Sequence, residues 1–222
     1  MRILHHYWLS PSSRLIRLFL NEKKIEYLPK LELYWERSDD LLRLNPSGEV
    51  PILSEENSII LSGSRVIIEY FEEETKEINL IPGNIAEKAE VRRLLEWFEN
   101  KFAREVTNPL LENRVLKRFV GNEQPSSQTI RNALSNIRIH MSYLEWLTEK
   151  RKWLAGNYIS VADLAAAAHL SVLDYMNDLD WAKYGETRAW YAKIKSRPSF
   201  RPLLADNIDG LKPPLHYSDL DF

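Results

Sequence analysis

The sequence predicts an α/β domain followed by an all-α domain. In the first third of the chain, short strand-like and helical segments alternate, whereas the later apolar residues recur almost throughout with helical spacing. Between these regions the segment NLIPGN (79–84) combines Pro and Gly, which typically mark a break between ordered elements. We therefore expect an α/β domain at 1–79, a linker at 80–86, a helical domain at 87–205 and an extended C-terminal tail at 206–222.

The order of elements in the first part is strand, helix, strand, hairpin and helix. The first helix places Leu15, Ile16, Leu18 and Phe19 on its apolar side, and Arg14 and Arg17 opposite. This order describes a small mixed sheet covered by helices. The predicted strands are 2–8, 26–33, 50–53 and 58–61, and the predicted helices are 12–23 and 64–74.

The second part is predicted to be helical at 86–106, 129–150, 160–176 and 187–196. The third of these segments, SVADLAAAAHLSVLDYM, is apolar nearly all round, so we expect a buried central helix. Its entry contains Ser160 and Asp163 at the spacing of a capping box, in which a hydroxyl and a carboxylate satisfy orphan amides at the helix start. We interpret both residues as structural.

Composition excludes several classes of protein. The 222 residues carry a net charge of −2 and no cysteine, so no global charge attracts nucleic acid, and disulfides and thiolate metal sites are excluded. The basic run at 150–152 fits a solvated helix end. No signal-peptide pattern or membrane span is visible, and we expect a cytoplasmic protein. His5 and His6 lack further ligands at metal-like spacing, so no metal site is predicted.

The segment HHYWLSPSSRLIRLFL (5–20) places three hydroxyls at the start of a helix. Ser is a favoured N-cap and Pro a favoured first helical residue, so Ser10-Pro11-Ser12-Ser13 reads in part as helix capping. The same turn is also a candidate active site, because a helix N-terminus stabilises negative charge.

Five ordered motifs resemble the glutathione S-transferase family. They cover nearly the whole chain: SPSSRLIRLFL, NPSGEVPIL, LSGSRVIIEYFEE, WLAGNYISVADLAAA and RAWYAKIKSRPSFRPLL. The resemblance implies a thioredoxin-like N-terminal domain, a helical C-terminal domain, and a homodimer to which the helix at 86–106 contributes. It also implies glutathione as co-substrate, with no other cofactor.

The resemblance assigns the thiol-activating role to Ser10, with Ser12 and Ser13 as further glutathione-site residues. In serine-type members a hydroxyl at this position donates a hydrogen bond to the glutathione sulfur, and together with the helix N-terminus this favours the thiolate. Tyr7 is the rival, because other classes use a tyrosine just after the first strand.

The other expected glutathione contacts are Val50, Pro51, Gly63 and Ser64. Pro51 matches the family's cis-proline, which leaves the Val50 backbone open to a peptide-like ligand. The family usually places an acidic or amide residue before the serine at the third helix, and this chain has Gly63 there. The carboxylate that would meet the ligand's ammonium group is therefore missing.

The tail, HYSDLDF, resembles an alphaproteobacterial branch of transferase-like proteins that bind filaments of the tubulin-like protein FtsZ and support cell constriction. On this resemblance the expected partner contacts are Tyr217, Asp219, Leu220 and Phe222. Trp35 is a second expected contact, because it lies among charged residues in ELYWERSDD and Trp is frequent among the residues that dominate interfaces. Two hypotheses remain open: an FtsZ-binding adaptor with weak or no glutathione binding, and an enzyme that conjugates glutathione to hydrophobic electrophiles. A mobile terminus is the alternative reading of the tail.

Overall fold

The structure is a computed structural model that describes residues 1–120, 123–208 and 210–220, with the side chains of residues 119 and 120 left aside. The chain divides into two compact units, Met1–Asn79 and Leu80–Phe222. Among the described residues, no helix combines the length and the apolar character that crossing a bilayer requires.

The first unit is built on a four-stranded mixed sheet in the order β2-β1-β3-β4. β1 and β2 are parallel, while β3 is antiparallel to both β1 and β4. The strand and helix order predicted from the sequence is confirmed. The elements are β1 (Ile3–His6), α1 (Pro11–Glu22), β2 (Leu28–Leu31), a 3-10 turn (Tyr34–Glu36), α2 (Asp39–Leu44), β3 (Ile52–Ser54), β4 (Ile60–Ser62) and α3 (Ser64–Glu74).

The sheet register brings three loops to one edge. β1 ends at His6, and its neighbour His5 pairs with Ile52, the first residue of β3. Ile52 pairs in turn with Ser62, the last residue of β4. The turn after β1, the loop before β3 and the start of α3 therefore lie at the same edge of the sheet.

Helix α1 is buried more completely than its sequence predicts. Leu15 and Phe19 are in the core as expected, but Arg14 and Arg17, which the periodicity placed on the polar side, are buried as well. Arg14 Nε donates to Trp8 O at 2.5 Å, so its burial is partly compensated. The periodicity of apolar residues separates apolar from polar side chains. It does not show that an arginine can be buried because a backbone carbonyl in the preceding turn accepts its hydrogen bond.

The second unit begins with a long helical stretch. Its first helix starts at Ile85, inside the segment expected to be a linker, because Asn84 and Glu87 form a capping box there. The helices are α4 (Ile85–Glu96), a π-helix (Trp97–Thr107), α5 (Asn108–Leu111), a second π-helix (Glu112–Leu116), α6 (Lys117–Val120), α7 (Ser127–Lys150), α8 (Val161–Tyr175), a 3-10 turn (Trp181–Lys183), α9 (Gly185–Lys195) and α10 (Arg201–Leu204).

Helix α8 is the centre of the second unit, as the sequence predicts. Every residue of Val161–Tyr175 is buried. The capping box at Ser160 is present, and Asp163 accepts from Ser160 N at 2.9 Å and from Ser160 Oγ at 3.0 Å. The same carboxylate also accepts from Leu154 N at 2.8 Å and Trp190 Nε1 at 3.1 Å, which ties α8 to the preceding loop and to α9.

The C-terminal segment is more structured than the extended tail that the sequence predicts. Ile208 and Leu211 form an antiparallel bridge, and Leu215–Tyr217 forms a 3-10 turn. Tyr217 is fully buried, and its hydroxyl donates to Leu203 O at 3.1 Å. Prolines 213 and 214 rule out a continuous helix without preventing the segment from packing.

Candidate functional site

The candidate site begins at the N-terminus of α1. Ser10 is the N-cap residue, and its Oγ accepts a hydrogen bond from Ser13 N at 3.2 Å. Because this bond uses a lone pair, the hydroxyl hydrogen stays available to donate to a ligand. The two interpretations of the opening turn, helix cap and ligand donor, are therefore compatible in one side chain.

The remaining residues of the turn surround Ser10. Ser13 is buried, and its Oγ accepts from Tyr7 N at 3.4 Å. Tyr7 has a buried ring that packs edge-on against Trp35, with centroids 4.9 Å apart, and against Tyr34 at 5.8 Å. The helix N-terminus thus lies at Ser10, three residues after Tyr7, and the Tyr7 ring belongs to an aromatic cluster. Ser12 is half-buried within the first turn of α1.

The second part of the site is the loop before β3. The Val50–Pro51 peptide bond is cis. Across the described residues, neither the N–H nor the C=O of Val50 takes part in a hydrogen bond of the sheet or the adjoining turns. One backbone donor and one acceptor are therefore available to an extended ligand at the edge where β3 begins.

The third part is the start of α3. Gly63 N donates to Pro51 O at 3.0 Å, so the α3 entry is held directly against the Val50–Pro51 loop. Gly63 has φ +90°, a conformation that side-chain-bearing residues rarely adopt, and Ser64 is the first, buried residue of α3. The helix N-terminus favours an anionic ligand group.

His6, the last residue of β1, is buried close to two arginine side chains. Burial, together with the charges of the nearby Arg17 and Arg14 guanidiniums, lowers the pKa of His6 to about 3. His6 is therefore neutral at physiological pH.

The geometry agrees with comparisons to known proteins. Residues 9–74 match the family model for the glutathione S-transferase N-terminal domain, and residues 111–206 match the model for the C-terminal domain. A probable glutathione S-transferase, GSTF2 of Oryza sativa subsp. japonica, is 30% identical over 73% of this chain and 75% of its own length. The chain belongs to the glutathione S-transferase family. The resemblance noted in the sequence and the expected fold class are both confirmed.

Three comparisons that span the full chain show higher identity than the rice transferase. FtsZ-localized protein A of Caulobacter vibrioides (strain NA1000 / CB15N) is 44% identical over 100% of this chain and 98% of its own length. The solved structure of FzlA from C. crescentus has a TM-score of 0.96 at 44% identity and covers 100% of this chain and 99% of that one. A solved glutathione S-transferase from Rhodospirillum rubrum F11 has a TM-score of 0.97 at 45% identity, with full coverage of both chains.

The residues expected to contact a partner fall into different environments. Trp35 is half-buried in the aromatic cluster with Tyr7 and Tyr34, and the centroids of the Trp35 and Tyr34 rings are 5.3 Å apart. Asp219 is exposed and Leu220 is half-buried. Tyr217 is corrected from a surface contact to a packing residue, because its ring and hydroxyl are enclosed. Phe222 lies outside the described residues.

Sequence reasoning missed two features of the candidate sites. The first is the burial of Arg14 and Arg17, which the helical periodicity of α1 placed on the polar side. The second is Leu215, which has 96% of its surface exposed although Tyr217, two residues later, is fully buried. Within the described ranges, no three His, Asp or Glu side chains gather as a metal site requires.

Proposed function

We propose that this chain is a transferase-fold adaptor that binds filaments of FtsZ in the bacterial cytoplasm and supports cell constriction, with weak or no glutathione binding. The observation that carries the proposal is the 44% identity to FtsZ-localized protein A over the full length of this chain, the tail included. Gly63 agrees with it, because the family's acidic or amide residue is absent from the position where it would meet a glutathione ammonium group.

The structure supports a partner site on the C-terminal segment. Asp219 is exposed and follows a packed 3-10 turn, so the segment offers a charged group on an ordered backbone. Binding through an ordered segment loses less conformational entropy than binding through a disordered one. Trp35 in the first unit is a second proposed contact, because Trp is frequent among the residues that dominate interfaces.

Co-sedimentation with pre-assembled FtsZ polymers tests this function. We expect the wild-type chain to pellet with polymers in a saturable manner, and Asp219→Asn and Leu220→Ala to weaken binding by about fivefold or more. Glu149→Gln, a change at another exposed carboxylate, is the matched control and should bind as the wild type does. If the wild type stays in the supernatant at every polymer concentration, the adaptor function is wrong.

We also propose that the chain is a homodimer, as the family resemblance implies, with the helical stretch Ile85–Thr107 contributing to the interface. Sedimentation equilibrium should give twice the chain mass of 26.1 kDa. A single species at the chain mass, at micromolar concentration, would contradict this proposal.

A second candidate function, glutathione transfer, is favoured by the Ser10 geometry. The Ser10 hydroxyl can donate to a thiolate at the α1 N-terminus, the free Val50 groups can pair with a peptide backbone, and Ser64 at the start of α3 can receive a carboxylate. The missing charge-assisted contact at Gly63 costs about 1.5–3 kcal/mol of binding free energy. Glutathione would be the nucleophile, and hydrophobic electrophiles its targets.

Calorimetry with millimolar glutathione separates the two functions. If the chain is an adaptor, we expect little or no heat of glutathione binding. If it is an enzyme, we expect a binding isotherm. In that case Ser10→Ala should leave the affinity for glutathione nearly unchanged and should raise the pKa of the bound thiol. A wild-type protein that binds glutathione in the micromolar range would favour the enzyme and contradict weak or absent binding.

A further inference from the structure

A buried charged cluster underlies the C-terminal segment. Asp174 on α8 and Lys195 on α9 both have completely buried side chains, and Lys195 Nζ lies 3.7 Å from Asp174 Oδ2. Asp and Lys are almost never fully buried unless they are paired. Such a pair is expensive to desolvate, and replacing it by apolar residues is often neutral or stabilising, so its presence calls for a role beyond stability.

The C-terminal segment provides polar contacts to both members of the Asp174–Lys195 pair. His216 Nε2 lies 3.0 Å from Asp174 Oδ1, which also accepts from Trp181 Nε1 at 2.8 Å. Lys195 Nζ donates to His216 O at 3.0 Å. Side chain and backbone of a single tail residue therefore bind the two opposite charges, and we call Asp174, Lys195 and His216 the tail anchor.

Further contacts hold the segment on either side of His216. The Lys195 ammonium lies 5.8 Å from the centre of the Tyr217 ring, and the Tyr217 hydroxyl donates to Leu203 O. The Tyr175 hydroxyl donates to Leu211 O at 2.9 Å and accepts from Ile208 N at 3.2 Å. The backbone from Ile208 to Tyr217 is thus bound at both ends to the helices of the second unit.

The tail anchor leaves one apolar side chain pointing into solvent. Leu215, His216 and Tyr217 form one turn of 3-10 helix, in which successive residues are rotated by about 120°. Because His216 and Tyr217 are turned inward, Leu215 is directed outward, with 96% of its surface exposed. An aliphatic side chain held on a fixed backbone loses little conformational freedom when a partner covers it.

We propose that Leu215 is an apolar contact for the FtsZ filament and that the tail anchor holds it in a binding-ready position. This inference rests on the proposed function and locates its surface. The filament is the occupant we choose because the FtsZ-localized relative is 44% identical over the full length of this chain, and because Leu215 lies four residues before Asp219, a contact proposed for the same partner. Leu215 takes the role that the sequence assigned to Tyr217.

Two sets of variants test the proposal by co-sedimentation with pre-assembled FtsZ polymers. Leu215→Ala should weaken binding by about fivefold or more, whereas Ile139→Ala, at an exposed aliphatic residue of α7, should not. His216→Ala should weaken binding severalfold while Asp219 and Leu220 remain intact, and it should accelerate amide hydrogen exchange over 210–218. Tyr175→Phe removes only the hydroxyl bonds to the segment, and it should produce the same changes to a smaller degree.

The outcomes distinguish this inference from the proposed function. If the wild type does not bind polymers, the adaptor function fails and this inference with it. If the wild type binds and Leu215→Ala binds equally well, only the Leu215 contact is overturned. Faster exchange in His216→Ala and Tyr175→Phe with unchanged binding would overturn the positioning role. A loss of self-association in Leu215→Ala, with polymer binding intact, would assign the surface to a second copy of the chain instead.

Discussion

Ser10 illustrates how one side chain meets a structural and a functional demand. Its oxygen accepts the Ser13 amide, as an N-cap should, and its hydrogen stays available to a ligand. The sequence could predict this residue because a serine before a proline at a helix start is a strong local signal. It could not predict the buried Arg14 beneath, since that burial depends on the Trp8 carbonyl, which the helical periodicity does not register.

Asp163 is a residue whose replacement should destabilise the second unit strongly. Its carboxylate accepts four hydrogen bonds, from Leu154, Trp190 and two groups of Ser160. Asp163→Ala leaves several buried donors unpaired, so we expect a loss of about 3 kcal/mol or more in the free energy of unfolding. Ser160→Ala should cost only about 1 kcal/mol, the usual value for a cap. Urea denaturation measures both, and equal losses would contradict the role assigned to Asp163.

Asp178 should make stability depend on pH. Burial raises the pKa of its carboxyl to about 6, despite the ion pair between Asp178 Oδ1 and Arg114 Nη2 at 2.6 Å. Because the folded-state pKa lies above the unfolded value of about 3.9, protonation favours the folded state, and this contribution is lost as pH rises through 6. Between pH 7 and pH 5 the wild type should gain about 1 kcal/mol relative to Asp178→Asn.

Urea unfolding of the wild type and Asp178→Asn at several pH values measures this difference. Asp163, whose pKa is also raised to about 6, titrates in both proteins and therefore cancels from the comparison. A difference between the two proteins that stays constant from pH 5 to pH 7 would show that Asp178 titrates normally.

At the scale of elements, the long periodic helices were the most predictable. The four helices predicted for the second unit begin within two residues of their observed starts, since each carries an apolar stripe or a capping residue. The short helix Asp39–Leu44 and the 3-10 turns were not predicted. Segments of three to six residues carry too little periodicity, and their conformation depends on the elements packed around them.

Lys23 fastens the end of α1 to the end of α3 within the first unit. Its buried Nζ donates to Glu72 Oε1 at 2.9 Å, to Thr75 O at 2.9 Å and to Ile78 O at 2.7 Å. Lys23→Met preserves the length of the side chain but leaves these acceptors unpaired. We expect it to lower the free energy of unfolding by about 3 kcal/mol.

The control for Lys23 is Lys24→Met, at the neighbouring and exposed lysine, which should change stability by less than about 0.5 kcal/mol. Thermal or urea unfolding compares the two variants. Indistinguishable unfolding midpoints would show that the Lys23 contacts do not join the two helices energetically.

At the scale of the whole molecule, the fold follows from sequence motifs that occur in the family's order. The proposed function depends instead on features in which the chain differs from the usual family pattern, namely Gly63 and the C-terminal tail. The motifs at 10–20, 45–53 and 61–73 predicted the edge where the Ser10 turn, Val50 and Ser64 converge, because strand order and register bring those loops together. The tail was less predictable. The tail is held by contacts from His216 to Asp174 and Lys195, which lie 42 and 21 residues earlier in the chain. These contacts form only once α8 and α9 have packed, so no local pattern in the tail predicts them.

The most direct measurement is a binding isotherm between the full chain and pre-assembled FtsZ polymers, recorded by co-sedimentation with and without glutathione. A glutathione concentration of about 10 mM is suitable, because it would largely saturate a site with a millimolar Kd. We predict saturable binding that glutathione leaves unchanged, since the partner surface is assigned to the C-terminal segment. Absence of binding in both conditions, or binding that glutathione abolishes, would contradict this account.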